Sequence, residues 1–279
     1  MKRWTLILSI LFAVLVSLGC VTLGEQQRAW IFQPSDRSWG STAELAEGME
    51  DVWIDFDSKV TGTPAKLHGL WLPAEHAPRA PVLLLLHGAR WNVEGSAPRI
   101  RRLQEMGFSV LAIDYRGFGK STPGLPSEDM AYEDAHAAWD WLGNRYPQRP
   151  RYIYGHSLGG AIAIDLASKV SDERGVIVEG TFTSIADVAG TMKWGWLPIA
   201  PLITQRFDSV DKVAKVGAPL LVVHGEDDSL IKSELGRKLY EAAAGTKRFL
   251  LVEGGTHHST MAVGFAQYSK TLHEFFKLR

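Results

Sequence analysis

The chain has 279 residues, a formal net charge of −1, and 46% hydrophobic against 22% charged residues. These values are typical of a globular protein, and the length allows one large domain. The near-neutral charge, without a stripe of lysines and arginines, excludes the electrostatics expected of a nucleic-acid-binding protein. The single cysteine, Cys20, excludes an intrachain disulfide bond.

The first 23 residues are typical of an export or anchor segment. Lys2 and Arg3 precede a mostly apolar run, Trp4–Leu18, which Gly19 and Cys20 follow. A basic start, an apolar stretch and a small residue before the break are features of secretory signals. The Gly-Cys pair resembles a bacterial lipoprotein signal, in which Cys20 would carry the lipid. The alternative is an uncleaved anchor helix with an incidental cysteine. Both interpretations predict a membrane-associated protein outside the cytoplasm.

The rest of the chain, 24–279, predicts a single α/β domain. Residues 24–50 show no clear period, and the apolar runs 52–56 and 67–72 predict an antiparallel hairpin across a Gly/Thr/Pro turn. The run Val82–Leu86 does not alternate, so both of its faces must be buried. Runs that alternate with helical stretches predict a mostly parallel sheet covered by helices on both faces. The predicted strands are 81–86, 108–113, 151–154, 175–179, 218–223 and 248–252, and the longest predicted helix is 127–143.

A Gly-x-Ser-x-Gly motif, Gly155–Gly159, lies between the 151–154 run and a helical pattern that begins at Ala161. This strand–turn–helix context is that of a nucleophile elbow, whose tight turn requires small residues on both sides of the serine. Ser157 would then lie at a helix N-terminus, where the helix dipole favours developing negative charge. The alternative is a glycine-rich turn with Ser157 as an ordinary helix cap.

An acid and a histidine follow the last two predicted strands, in the chain order serine, acid, histidine that this fold uses. Asp227 and Asp228 come after the 218–223 run, and His257 comes after the 248–252 run. The order predicts Ser157 as nucleophile and His257 as general base. The loop chemistry does not decide which aspartate orients His257. The backbone N–H groups of Ala89 and Leu158 are the predicted oxyanion hole.

The motifs His87-Gly88, Asp114–Ser121, the elbow, His224-Gly225-x-x-Asp228 and Gly255-x-His257 together resemble the α/β-hydrolase superfamily, in order, over roughly residues 50–279. The closer likeness is to membrane-anchored, small-lidded members related to the serine aminopeptidase and monoacylglycerol lipase branches. The segment 30–34 is similar to one that those members carry after their anchor. The resemblance implies Asp228 as the third member of the triad. Two positions depart from the pattern, since Lys232 replaces a common proline and His258 a common Asn or Asp.

Other signals predict neither a cofactor nor a metal. Gly119-Lys120-Ser121 ends like a phosphate-binding loop, but Asp114 stands where the loop needs a glycine. His87 and His224, each before a glycine, are interpreted as turn residues. Four acidic residues are predicted to form a solvated helix face: Glu128, Asp129, Glu133 and Asp134.

The sequence predicts a serine hydrolase that cleaves a carboxylic ester or thioester through an acyl-Ser157 intermediate. The short connection at about 185–215, which includes Trp194 and Trp196, has room for a small lid but not for a large cap domain. An open site of this kind tolerates bulky or surface-bound acyl groups, which suits esters or thioesters better than small metabolites, and the expected partner is a small-molecule or lipid-like acyl substrate. The alternatives are a serine peptidase acting on short peptides and a non-catalytic surface lipoprotein that uses the fold for binding.

Overall fold

A computed structural model describes residues 22–34, 42–75, 77, 79–193 and 195–278. All of the predicted signal or anchor segment except residues 22 and 23, and with it Cys20, lies outside these residues, and so does Trp194 of the predicted lid. Within the ranges described, no helix is long and apolar enough to cross a membrane.

The strands form one sheet in the order β1-β2-β4-β3-β5-β6-β7-β8. Strand β2 pairs antiparallel with β1 and with β4, and the other neighbouring pairs are parallel. The predicted hairpin and parallel sheet are therefore confirmed. The strands are β1 (Glu50–Asp57), β2 (Pro64–Leu72), β3 (Val82–Leu86), β4 (Ser109–Ile113), β5 (Arg151–His156), β6 (Glu173–Glu179), β7 (Leu220–Gly225) and β8 (Lys247–Val252).

Helices connect the strands and cover the sheet. Helix α4 includes the predicted 127–143 helix almost entirely, and Ser127 caps its first turn by accepting a hydrogen bond from the Met130 N–H. The helices are α1 (22–32), α2 (Thr42–Leu45), α3 (Ala97–Glu105), α4 (Glu128–Arg145), α5 (Leu158–Ala167), α6 (Ile185–Gly190), α7 (Val210–Val213), α8 (Ser233–Ala242), α9 (Thr260–Val263) and α10 (Phe265–Phe276).

Two apolar clusters, one on each face of the sheet, form the core. In β3 the side chains of Val82, Leu84 and Leu86 belong to one cluster, and those of Leu83 and Leu85 belong to the other. All five residues are fully buried, as their uninterrupted apolar run predicts. Burial of each such side chain stabilises the fold by about 1.5–3 kcal/mol, so this central strand is held firmly in place.

The solvated face predicted for the acidic residues of α4 is wrong for Glu128, Glu133 and Asp134, whereas Asp129 is exposed as predicted. Arg116, in the loop after β4, is buried and donates from Nε to Asp134 at 2.6 Å and from an η nitrogen to Glu133 at 2.7 Å. Asp134 is also buried, and Ser58 accepts from Arg116 at 2.7 Å. Glu128 accepts from two backbone N–H groups near residue 206. Three of the four acidic residues therefore join α4 to the loops around it, because buried charges require partners.

Helix α1, absent from the sequence predictions, packs against the body of the protein. Phe32 is fully buried, and its carbonyl oxygen accepts a hydrogen bond from the Arg90 N–H at 2.9 Å. Arg28 donates to the Pro126 carbonyl at 2.8 Å, and Gln27 donates to the Leu202 carbonyl at 2.7 Å. The helix thus connects the loop after β3 with the predicted lid.

Candidate active site

Ser157 occupies a strained turn between β5 and α5. Its backbone angles are φ 55° and ψ −121°, a region that residues other than glycine rarely adopt. The glycines on either side leave no room for a side chain. A Cβ on Gly155 would overlap Gly159, and a Cβ on Gly159 would overlap the Leu86 carbonyl oxygen. The close approach of α5 to β3 therefore requires glycine and holds Ser157 at the carboxyl edge of the sheet.

Three side chains from separate loops meet at this edge. His257, after β8, has Nε2 2.9 Å from Ser157 Oγ and Nδ1 2.8 Å from Asp228 Oδ2. The carboxylate accepts, so Nδ1 carries the proton and Nε2 is left to accept from the serine hydroxyl. The structure thus brings together the three residues that the sequence predicts, in the geometry of a nucleophile, base and orienting acid.

Of the two adjacent aspartates, only Asp228 reaches the histidine. Asp228 is buried, and its Oδ1 accepts from the N–H groups of Leu230 at 2.9 Å and Ile231 at 2.8 Å. Asp227 is exposed. Burial would raise the pKa of Asp228, but hydrogen bonds from His224 and His257 outweigh it and hold that pKa well below its ordinary value of 3.8. Asp228 is therefore ionised at neutral pH.

Two backbone N–H groups, those of Ala89 and Leu158, lie beside Ser157 as the sequence predicts for an oxyanion hole. Leu158 is the first residue of α5, where helical N–H groups lack partners within the helix. The turn after β3 brings Gly88 so close that a Cβ there would be 3.1 Å from Ser157 Cβ, and Ala89 comes next. Neither Ala89 nor Leu158 donates its N–H to a residue that the structure describes. Both remain available for a substrate oxygen, while the next N–H, that of Arg90, is used by Phe32.

The structure adds two positioning histidines to the predicted set. His224 is buried, donates from Nε2 to the Ile231 carbonyl at 2.8 Å, and lies 3.4 Å from Asp228 Oδ2. His156, the variable residue before Ser157 in the motif, donates from Nε2 to the His257 carbonyl at 2.9 Å. Burial, chiefly, lowers the pKa of His156 well below its ordinary value. His224 is thus more than the predicted turn residue, and the pairing of His156 with residue 257 has no signal in the sequence.

The same loops contain a group of three histidines with metal-ligand geometry. Ring nitrogens of His156, His257 and His258 lie within 4.8 Å of one another. Both ring nitrogens of His257 are already bonded, to Ser157 and to Asp228. A metal at this position would break one of those bonds, so the arrangement suits proton transfer better than metal binding.

Comparison with known proteins places the chain in a family. An uncharacterised protein of Mycobacterium tuberculosis is 32% identical over 261 residues, which cover 92% of this chain and 90% of that protein. A family model described as serine aminopeptidase, S33, matches residues 77–209. The chain belongs to the α/β-hydrolase superfamily. The matched region includes the elbow of this hydrolase but ends before Asp228 and His257.

Two further proteins are similar to this hydrolase. The lysophosphatidylserine lipase ABHD12 of Rattus norvegicus is 31% identical over 241 residues, which cover 78% of this chain but only 60% of the lipase. The Pyrococcus furiosus esterase Pf2001 superimposes with a TM-score of 0.69 at 22% identity, covering 88% of this chain and 98% of the esterase. The second likeness concerns the fold alone, which is that of an α/β hydrolase.

Proposed function

We propose that this hydrolase cleaves carboxylic esters or thioesters through an acyl-Ser157 intermediate. The observation that carries the proposal is the continuous hydrogen-bond chain from Ser157 Oγ through His257 to Asp228, at 2.9 and 2.8 Å. These hydrogen bonds lie beside the backbone N–H groups of Ala89 and Leu158, which donate to no residue that the structure describes. A serine hydroxyl that is hydrogen-bonded to an imidazole, beside backbone N–H donors, is the arrangement that acyl transfer requires.

The reaction consists of acylation and deacylation of Ser157, and the same groups act in both steps. Ser157 Oγ attacks the carbonyl carbon of the substrate and gives its proton to His257 Nε2. The N–H groups of Ala89 and Leu158 stabilise the resulting oxyanion. When the carbon–oxygen or carbon–sulfur bond breaks, the imidazolium protonates the leaving alcohol or thiol. Water then attacks the acyl-serine through His257, the acid is released and Ser157 regains its proton.

The predicted lid supports an acyl substrate with apolar character. Segment 185–215 contains α6 and α7, and large apolar side chains lie exposed along it: Met192, Trp196, Leu197, Ile199 and Leu202. Exposed apolar clusters of this kind mark surfaces that bind lipids or other partners. The name of the similar lipase agrees with a lipid-like ester substrate. We therefore assign the segment as a small lid on one hydrolase domain spanning 24–279.

A serine peptidase acting on short peptides is the second candidate, because the matching family model is described as a serine aminopeptidase. The same triad cleaves amides. What separates the two functions is the rate on esters relative to amides of the same acyl group.

Location at a membrane outside the cytoplasm rests on the N-terminal sequence. The apolar run Trp4–Leu18 with Cys20 supports either a lipidated N-terminus or an anchor helix. If lipid is attached, Cys20→Ser blocks maturation and leaves a longer precursor on a gel. Normal processing of that variant would contradict lipidation.

A fluorophosphonate probe with a substrate panel tests the proposal. We expect the full chain, in mild detergent, to be labelled at Ser157, and Ser157→Ala to be unlabelled. The panel consists of p-nitrophenyl esters, acyl thioesters and aminoacyl anilides. Faster turnover of the anilides would favour the peptidase. An unlabelled, folded wild-type protein would support a binding module without catalysis.

A further inference from the structure

A cavity of about 260 Å³ opens between α3 and the loop that carries His257. Its lining includes Trp91, Arg99, Arg102, His258 and Met261. The cavity adjoins the candidate active site on two sides. The His258 ring lies 5.0 Å from that of His257, and the Trp91 ring lies 6.3 Å from that of His258. Trp91 also comes two residues after Ala89 in the loop that supplies a predicted oxyanion donor.

The wall formed by α3 is positively charged. Arg99 and Arg102 are three residues apart, and that spacing places two side chains on one face of a helix. The guanidinium of Arg102 makes no hydrogen bond or ion pair with any residue in the described ranges. Arg90 adds a further positive charge near His258. Burial is the main cause that lowers the pKa of His258, and the charges of His257, Arg99 and Arg90 lower it further.

A buried glutamate holds the guanidinium of Arg99 in place, and part of the Arg99 side chain reaches the cavity. One of its η nitrogens donates to Glu179 Oε1 at 3.0 Å. Glu179 is fully buried and also accepts from the Tyr154 hydroxyl at 2.9 Å. The Nε of Arg99 is buried and has no hydrogen-bond partner among the residues described, while 15% of the side chain remains exposed. Glu179 balances one guanidinium charge, so the charge of Arg102 remains to attract an anion.

The position of the cavity indicates which part of a substrate would enter it. His257 Nε2 must protonate the leaving alcohol, so that alcohol lies on the imidazole side of Ser157 Oγ. The cavity opens beside this imidazole, through His258. Planar, forked guanidinium groups bind phosphate and carboxylate oxygens well. Resting on the proposed ester hydrolysis, we propose that Arg102 and Arg99 bind an anionic group, such as a phosphate monoester, on the leaving alcohol of the substrate.

A matched pair of esters tests the proposal on the full chain. The pair is 1-acyl-glycerol 3-phosphate and 1-acyl-glycerol with the same acyl chain, which differ only in the phosphate. We expect wild type to have the higher kcat/KM on the phosphate ester. Arg102→Gln should lower the ratio of the two kcat/KM values by about tenfold, because one charge-assisted hydrogen bond is lost. Arg102 is the position to change, since loss of Arg99 would leave Glu179 buried and unpaired.

The control is Arg237→Gln, which removes a positive charge from α8, where the guanidinium stacks on Phe249. We expect that variant to keep the wild-type ratio. Equal kcat/KM on the two esters in wild type, or an unchanged ratio in Arg102→Gln, overturns the proposal. If wild type hydrolyses the p-nitrophenyl esters or acyl thioesters but neither glycerol ester, the proposal is also overturned; if it hydrolyses none of these substrates, the proposed function fails instead.

Calorimetric binding to the Ser157→Ala protein then tests the cavity by itself. We expect glycerol 3-phosphate to bind more tightly than inorganic phosphate, and Arg102→Gln to weaken its binding by about tenfold. Equal binding of inorganic phosphate would make the cavity a free-anion site and overturn its assignment to the leaving group. Absence of glycerol 3-phosphate binding would overturn it as well.

Discussion

The substitution Asp228→Asn tests whether the Asp228 carboxylate orients His257 or only supports its loop. The hydrogen bonds around Asp228 determine the expected result. Asp228 Oδ1 accepts from two backbone N–H groups, those of Leu230 and Ile231. An asparagine can keep these bonds only if its single oxygen takes the Oδ1 position. Its NH₂ group must then face His257 Nδ1, where Oδ2 stood at 2.8 Å.

The consequence is that His257 adopts the other neutral tautomer. Facing a donor, Nδ1 becomes an acceptor and the ring proton moves to Nε2, which can no longer accept the proton of Ser157. The same change in a serine protease lowers kcat by about 10⁴. We therefore expect Asp228→Asn to lower kcat by about 10³ to 10⁴, which is about 4–5.5 kcal/mol of transition-state stabilisation.

The matched control is Asp227→Asn, because Asp227 is the adjacent acid and is exposed. We expect its kcat to stay within about tenfold of wild type. Both variants are assayed on one p-nitrophenyl ester, and circular dichroism with thermal melting verifies that both are folded. If Asp228→Asn keeps more than about a tenth of the wild-type kcat, the tautomer argument is wrong. If Asp227→Asn is the inactive variant, the triad assignment is wrong.

Three further predictions concern the elbow and the buried ion pairs. Gly159→Ala places a methyl group 2.5 Å from the His87 carbonyl oxygen, so we expect kcat to fall by about 10². Gly217→Ala, where the nearest described heavy atom would be 4.0 Å from the added Cβ, should not change kcat in the same assay. Asp134→Ala leaves Arg116 buried without its closest carboxylate and should cost about 3–5 kcal/mol in denaturant unfolding; a cost below about 1 kcal/mol would contradict this. Burial would raise the pKa of Glu133, but bonds from Ser58 and Arg116 outweigh it and lower that pKa below 4.5. The stability difference between wild type and Glu133→Gln should therefore be complete above about pH 4.5 and shrink as the pH falls, whereas a constant difference from pH 3 to 7 would refute it.

The features that local patterns encode could be predicted from the sequence. The uninterrupted apolar run of β3 indicates burial on both faces, and burial on both faces requires a covered parallel sheet. The elbow is equally local, since the glycines that permit it lie within two residues of Ser157. Because the carboxyl ends of parallel strands share one edge, the loops with Asp228 and His257 could be expected to meet there.

Features that depend on distant partners could not be predicted. Nothing in the composition of α4 shows that Asp134 is buried, because its partner Arg116 lies 18 residues earlier in a loop. Helix α1 was missed because its apolar face is short and its contacts are with residues near 90, 126 and 202. The cavity beside His258 needs α3 and the histidine loop in place before its charge can be recognised.

The hydrogen bond from the Arg90 N–H to Phe32 bears on how this protein can be shortened. The apolar N-terminal run and α1 are adjacent in the sequence, and Phe32 of α1 contributes a carbonyl to the loop beside Ser157. An expression boundary just before residue 22 keeps that carbonyl. A boundary at the first strand, Glu50, would discard it and release an N–H next to Ala89. In domain swaps, α1 therefore belongs with the α/β-hydrolase fold.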